Sequence, residues 1–228
     1  MTFPDLRIKG LIGWYLGNGS KTTVGGIALL ILAFLVPIAV GYFLGSLNFS
    51  LIISKKKFGE DVREHGSGNA GTTNMLRTYG KTAAVMTLLG DFMKAVVSAL
   101  IGTVCFGMMG AHLAGLACIV GHAFPIYYHF KGGKGVACAA GMILAISPVT
   151  FLILFLFFAI IVGWTKYVSL GSIMCMLLYP VILDSVEPKG AWMIVPILCT
   201  ALVVWLHREN IKRLREGKEN KISFGKKK

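Results

Sequence analysis

Residues 66–71 read Gly-Ser-Gly-Asn-Ala-Gly, inside the polar stretch "REHGSGNAGTTNMLR" at 63–77. Letter by letter this is the G-x-G-x-x-G of a dinucleotide-binding turn, which needs a strand before it, a helix after it and an acid about 20 residues on. Here a long apolar run and the triplet Lys55, Lys56, Lys57 come first, and the acid at about the right distance, Asp91, falls inside another apolar run. No Lys-Ser or Lys-Thr closes the loop, which sets aside a P-loop. The local chemistry remains. The spacing of Gly66 and Gly68 lets backbone N–H groups converge on an anion. Ser67 adds a hydroxyl, Asn69 and Asn74 add amides, and Arg77 adds a guanidinium fork that fits phosphate. The plainer alternative is a flexible loop rich in turn formers.

A second stretch, "GHAFPIYYHFKGGKGVA" at 121–137, again joins glycine to lysine. Lys131, Gly132, Gly133 and Lys134 stand just before a helical pattern, where free N–H groups favour anions. Basic flanking of a membrane segment accounts for the lysines but not for the glycines, which cost conformational entropy. His122 and His129 fit structural hydrogen bonding as well as chemistry. A third stretch is "HRENIKRLREGKEN" at 207–220. His207 and Asn210 are three apart and share a helix face, while Arg208, Lys212 and Arg213 are expected to point to water or lipid headgroups.

These stretches sit in a chain of 228 residues that is 55% hydrophobic and 14% charged, with a mean hydropathy of +0.72. A soluble domain carries about 25% charged residues, so the composition is that of a polytopic membrane protein. The net charge of +13 is explained by the positive-inside rule and anionic lipid; no aromatic-interleaved basic module or zinc-finger spacing points to nucleic acid. Cys105, Cys118, Cys138, Cys175 and Cys199 all lie in apolar runs without a C-x-x-C, which reads as buried free thiols, with neither disulfides nor a metal site expected. Residues 1–24 form a lead in which "LIGWYL" at 11–16 fits an interfacial helix or a tag-like extension.

A spanning helix takes about 20 apolar residues. Seven candidates can be drawn, at 25–53, 82–107, 111–129, 134–147, 148–165, 167–186 and 190–206, with a five-span arrangement as the alternative because the fourth is short. "GYFLG" at 41–45 spaces two glycines for close helix packing. With the C-terminus cytoplasmic, 18 of 23 basic residues fall inside, which orients the chain N-out, C-in. The expected architecture is an all-α seven-helix bundle: a lead at 1–24, a transmembrane domain at 25–206 and a basic tail at 207–228. The three polar stretches then meet at the cytoplasmic face. Asp91 and Lys94 would each cost about 2.5–3.5 kcal/mol inside the bilayer, and their spacing lets them pair.

The stretches 45–81, 121–137 and 207–220 together resemble, in order, three motifs of the acyl-phosphate-dependent glycerol-3-phosphate acyltransferases, the PlsY family. The resemblance runs from about residue 38 to 221. It implies an enzyme of the bacterial plasma membrane that moves a fatty acyl group from acyl phosphate to the sn-1 hydroxyl of glycerol 3-phosphate, with no cofactor. Residue by residue, it places Ser67, Arg77 and Lys134 on the phosphate of glycerol 3-phosphate and His207 and Asn210 at its glycerol end. Gly66 and Gly68 would shape the first loop, Gly132 and Gly133 the second, and Ser169 or Ser172 would face the site. Cys138 stands where the family has Thr, and Ala95 where Gly is common.

An acyl phosphate is already activated, so direct attack needs only positioning and charge stabilisation. The other glycerol-phosphate acyltransferase class uses H-x-x-x-x-D, and none of His65, His112, His122, His129 and His207 has Asp five residues on. Two readings of His207 stay open: a general base, or a residue that orients the hydroxyl while a phosphate oxygen takes the proton. The absence of a carboxylate–His pairing near His207 favours the second. A small-anion transporter with the same loops is the rival, and it would need polar residues at the midplane and at both faces.

Overall fold

The computed structural model describes residues 7, 9–13, 24–187 and 190–222, and these are helical apart from their connections. Helix α1 (Val24–Ser46) stops short of the expected end at 53. The chain breaks at Leu47–Asn48 and resumes as α2 (Phe49–Ile53), which continues into a single π-turn at Ser54–Phe58. The apolar run hides this break because both sides are apolar. Asn48 causes it by accepting from Leu51 N (3.3 Å) and from Ser50 Oγ (2.7 Å), a side-chain cap for a new helix.

The break is also where the intramembrane charges act. Lys94 Nζ donates to the carbonyls of Gly45 (2.8 Å) and Leu47 (2.7 Å) at the end of α1. Asp91 Oδ1 accepts from Phe49 N at the start of α2 (3.3 Å). The two are paired at 2.7 Å and buried. A cation thus meets the negative end of one helix and an anion the positive end of the next, which satisfies backbone groups that lipid could not. The structural pairing read from the sequence is what the fold contains.

A 3₁₀ turn at Val62–Glu64 and helix α3 (Thr72–Tyr79) lead to α4 (Lys81–Ala123). At 43 residues α4 is interrupted by non-helical Phe106 and by Gly107 at φ 56°, a left-handed conformation that glycine adopts freely. A Cβ on Gly102 would overlap the Gly110 carbonyl. Residues eight apart in a straight helix lie about 12 Å apart, so the chain reverses here and α4 consists of two antiparallel arms, near the expected 82–107 and 111–129. Next come α5 (Val136–Ile146), α6 (Pro148–Thr165), α7 (Val168–Val186), α8 (Ile194–Leu206) and α9 (Arg208–Arg215). Helix α9 is bent 57° away from α8.

Small residues set the packing. Gly41 lies against Ala114 and Gly45 against Cys118, both on the second arm of α4, and Gly141 of α5 lies on Phe92 of the first arm. Close backbone approach of this kind is how helices associate in lipid, and the GYFLG spacing serves it. Large apolar side chains face outward, among them Leu35, Leu156, Ile160 and Val181. Among the described residues four helices are long and apolar enough to cross a membrane, or five if α8 and α9 form one bent span; α5 is shorter. Of the lead, residues 9–13 are helical, Gly10 packs on the backbone of residues 105–107, and Arg7 pairs with Glu187 (2.7 Å) and donates to Ile146 O (3.0 Å). The rest of the 11–16 stretch lies outside the described residues. These contacts gather at one end of the bundle, and the three polar stretches gather at the other.

Candidate active site

The first loop is built around Asn74. This buried amide donates to Val62 O (3.0 Å) and His65 O (2.9 Å), and its Oδ1 accepts from Ser67 N (2.9 Å). Gly68 N donates to His65 O (3.1 Å) and Gly71 N to Asn69 O (3.1 Å). The N–H groups at 67, 68 and 71 are thus engaged inside the loop. Gly66 (φ 60°) and Gly68 (φ 71°) serve the turn, and Asn74 clamps it. Ser67 is exposed on this loop, together with Glu64, Gly66 and Gly68.

The second loop shows the same logic. Gly132 N donates to Ala123 O (3.0 Å) and Gly133 N to His122 O (3.1 Å), folding the loop back onto the end of α4. A Cβ at Gly133 would overlap both His122 Nε2 and the Ala70 carbonyl. This glycine is thus the point where the first and second loops touch. Arg63, overlooked in the sequence, ties them as well: it forks onto Asp61 (2.7 Å) and donates to the carbonyls of Tyr128 (3.1 Å) and Lys131 (2.8 Å). Lys131 itself is exposed. His122 Nδ1 lies 3.1 Å from Lys94 Nζ and 3.4 Å from Asp91, which makes it part of the buried polar knot beneath the loop. Asp91, His122 and Cys138 bring ligand-type atoms within 4.8 Å of one another. Asp91 Oδ1 is already held by the Lys94 ammonium, with His122 Nδ1 beside both, so the group reads as an ion-pair knot.

Lys134, just ahead of α5, reaches the third stretch, where its Nζ donates to Asn210 Oδ1. Asn210 Nδ2 in turn donates to Glu219 Oε1 (2.7 Å), which also accepts from Ser169 Oγ (2.9 Å) at the start of α7. Arg213 Nε donates to Glu219 Oε2 (2.8 Å), and Arg77 donates to Asn220 O (3.3 Å). Ser172 is not brought in, since its hydroxyl bonds Val168 O one turn back (2.9 Å). Arg213, expected to face water, instead turns into the cluster. Glu219 was not anticipated at all. The signal for it was Gly217, at φ 66°: Lys218 N bonds Arg213 O (2.8 Å) and Gly217 N bonds Leu214 O (3.2 Å), a Schellman ending that folds the tail back over α9.

His207 is buried at the α8–α9 bend, with Nδ1 2.7 Å from Val203 O. A carbonyl can only accept, so Nδ1 carries the proton and Nε2 is left as an acceptor in the neutral ring. Burial, then Arg213, with Arg77 and Arg208 in the same sense and Glu219 against them, pushes the Lys134 ammonium down to about 8. Burial would raise the Glu219 carboxyl, but the hydrogen bonds from Asn210, Arg213 and Ser169 outweigh it and hold the group below its ordinary value. Arg77, Lys134 and Arg213 thus gather at the Glu219 carboxylate, with Arg208 exposed at the rim over the Trp205 ring. An excess of positive charge in a half-buried setting suits a multiply charged phosphate ester.

Fold and site together define a helical integral membrane protein with a cationic polar cluster at one end of its bundle. The family model described as glycerol-3-phosphate acyltransferase matches residues 19–217. A glycerol-3-phosphate acyltransferase of Clostridioides difficile is 42% identical over 198 residues, covering 84% of this chain and 97% of that one. One from Syntrophomonas wolfei is 41% identical, covering 80% and 93%. The crystal structure of PlsY, an integral membrane glycerol 3-phosphate acyltransferase, superposes in its glycerol 3-phosphate form with a TM-score of 0.79 at 39% identity, covering 83% of this chain and 95% of that chain. Its lysophosphatidic acid form gives 0.76 at 37%. The chain belongs to the glycerol-3-phosphate acyltransferase family and is an acyltransferase.

Proposed function

We propose that this protein transfers a fatty acyl group from acyl phosphate to the sn-1 hydroxyl of glycerol 3-phosphate, releasing 1-acylglycerol 3-phosphate (lysophosphatidic acid) and phosphate. The observation that carries the reading is the contact of Lys134 with Asn210, which joins the second and third stretches in one cationic cluster beside Arg77. Arg77 and Lys134 would hold the phosphate of glycerol 3-phosphate, with Ser67 from the first loop. Asn210 and His207 Nε2 would orient the glycerol hydroxyl. Its oxygen attacks the acyl carbonyl carbon, the bond from that carbon to the phosphate oxygen breaks, and phosphate leaves with the electron pair and takes up the hydroxyl proton. No cofactor or covalent enzyme intermediate enters this scheme. His207 acts in it as an orienting acceptor, because its other nitrogen is tied to a carbonyl rather than to a carboxylate that would strengthen it as a base.

We also read the bundle as crossing a bacterial plasma membrane seven times, by α1, the two arms of α4, α5, α6, α7 and α8, with the N-terminus outside and the site at the cytoplasmic face. The contacts of Arg7 with Ile146 at the far end of α5 and with Glu187 beyond α7 support this count over a five-span one in which 134–165 is arranged differently. Purified protein incubated with acyl phosphate and glycerol 3-phosphate should yield lysophosphatidic acid acylated at sn-1, whereas acyl-CoA or acyl carrier protein as donor should not. No product in lipid, together with uptake of glycerol 3-phosphate into proteoliposomes, would replace the enzyme reading with a transporter.

A further inference from the structure

The tail beyond α9 does more than end the chain. Glu219 accepts hydrogen bonds from three side chains on two elements: Ser169 at the head of α7, and Asn210 and Arg213 on α9. The residues after it are seated too: Asn220 O accepts from Arg77 (3.3 Å), Ile222 N donates to Lys166 O (2.8 Å) and Lys221 Nζ sits 5.5 Å from the Tyr167 ring centre. The tail therefore straps α9 to the loop before α7 and passes alongside Arg77.

We propose that Glu219 is a positioning residue for the acyl transfer, acting through Asn210 and Arg213. An asparagine amide can be placed in two orientations that fill the same space. A carboxylate only accepts, so it must receive Nδ2, and Oδ1 is thereby turned to Lys134. The Lys134 ammonium, which only donates, asks for the same orientation from the other side; without the carboxylate Nδ2 loses its acceptor, and Arg213 loses the anion that holds it in the cluster. The carboxylate has a second effect. Lys134 faces Arg77 from α3, Arg208 and Arg213 from α9 and His207 at the α8–α9 bend, and Glu219 is the anion that opposes them. Removing that charge makes it harder to keep Lys134 protonated. The opposite reading of the same contacts is a built-in occupant, a carboxylate lying where substrate phosphate should bind and competing with it. The two readings differ in the sign of their effect on KM.

This inference rests on the proposed site, and the test separates the two. Glu219→Ala, Glu219→Gln and Lys134→Ala are assayed with glycerol 3-phosphate varied across neutral and alkaline pH. Positioning predicts that Glu219→Ala loses about tenfold or more in kcat/KM, the scale of hydrogen bonds to a charged group. Glu219→Gln keeps an acceptor for Asn210 Nδ2 and should recover much of kcat. Its KM should nevertheless begin to rise at a lower pH than in the wild type, because the charge supporting the Lys134 ammonium is gone. A role in folding alone would not move that limb. Should Glu219→Ala fail to fold, the Glu219→Gln pH profile decides by itself. A KM below wild type in either Glu219 variant would establish competition and overturn positioning, as would an unmoved alkaline limb in Glu219→Gln. If Lys134→Ala leaves KM for glycerol 3-phosphate unchanged, the site itself is wrong and the inference goes with it; if Lys134→Ala raises KM while the Glu219 variants behave as wild type, only the inference falls.

Discussion

Gly133→Ala tests whether the two glycine loops form one rigid unit. The added methyl would overlap the Ala70 carbonyl and His122 Nε2, with His122 Cδ2 at 3.1 Å. A carbon beside a carbonyl oxygen needs about 3.3–3.6 Å. Neither neighbour yields easily. Ala70 O is backbone in a loop clamped by Asn74, and His122 is held by Asp91 and Lys94. The loops must therefore part by about 1 Å, a displacement that can cost on the order of a hundredfold in rate when it misplaces reacting groups. Overpacking of this kind costs about 1–3 kcal/mol in stability. The expected result is a fall of about a hundredfold in kcat/KM for glycerol 3-phosphate with a thermal midpoint lowered by a few degrees. Gly163→Ala, inside a helix, is the control: among the described residues nothing lies within 4 Å of its added methyl, so kcat/KM should stay at its wild-type value and the thermal midpoint should not fall. Wild-type kcat/KM in Gly133→Ala would refute the claim that contact between the loops positions the site.

Four other outcomes follow from the same geometry. Arg77→Ala should raise KM for glycerol 3-phosphate about tenfold or more, the loss of about 1.5–3 kcal/mol of charged hydrogen bonding; an unchanged KM in purified enzyme would take Arg77 out of the site. With Lys134 brought down to about 8, its charge is full below that pH and lost above it, so KM should climb as pH rises through about 8, and a flat profile would count against Lys134 as a phosphate ligand. His207→Gln keeps an acceptor near Nε2, and steady-state kinetics should show a near-normal kcat with a raised KM; a collapsed kcat at constant KM would make His207 the base. Asp91→Asn leaves the buried Lys94 ammonium without its counter-charge, and thermal unfolding in detergent should show a loss of about 3–5 kcal/mol.

The glycines show where sequence reasoning stopped short. Their spacing at 66–71 and 132–135 marked both loops, because glycine away from helices signals an unusual backbone demand. It did not distinguish an anion nest from close packing, and the hydrogen bonds at Ser67, Gly68, Gly132 and Gly133 assign these glycines to packing and turns. Arg213 and Glu219 were missed because six residues along a basic tail look solvated unless the chain folds back at Gly217. Asp91 and Lys94 were paired correctly from their spacing, yet their attachment to the helix break at Leu47–Asn48 lies more than 40 residues away and leaves no local trace.

The sequence by itself determined the membrane class, the apolar segments, the clustering of basic residues and the three polar stretches, because each depends on local composition and on transfer between water and lipid. The tertiary structure alone decided which polar groups remain available. Asn74 is consumed by its own loop, Ser172 by its own helix and the Gly133 amide by the end of α4, while Lys134, Asn210, Arg213 and Glu219 converge from distant segments. A hydrogen-bonding group can be spent only where its partner is within reach, and that is settled by how the helices pack.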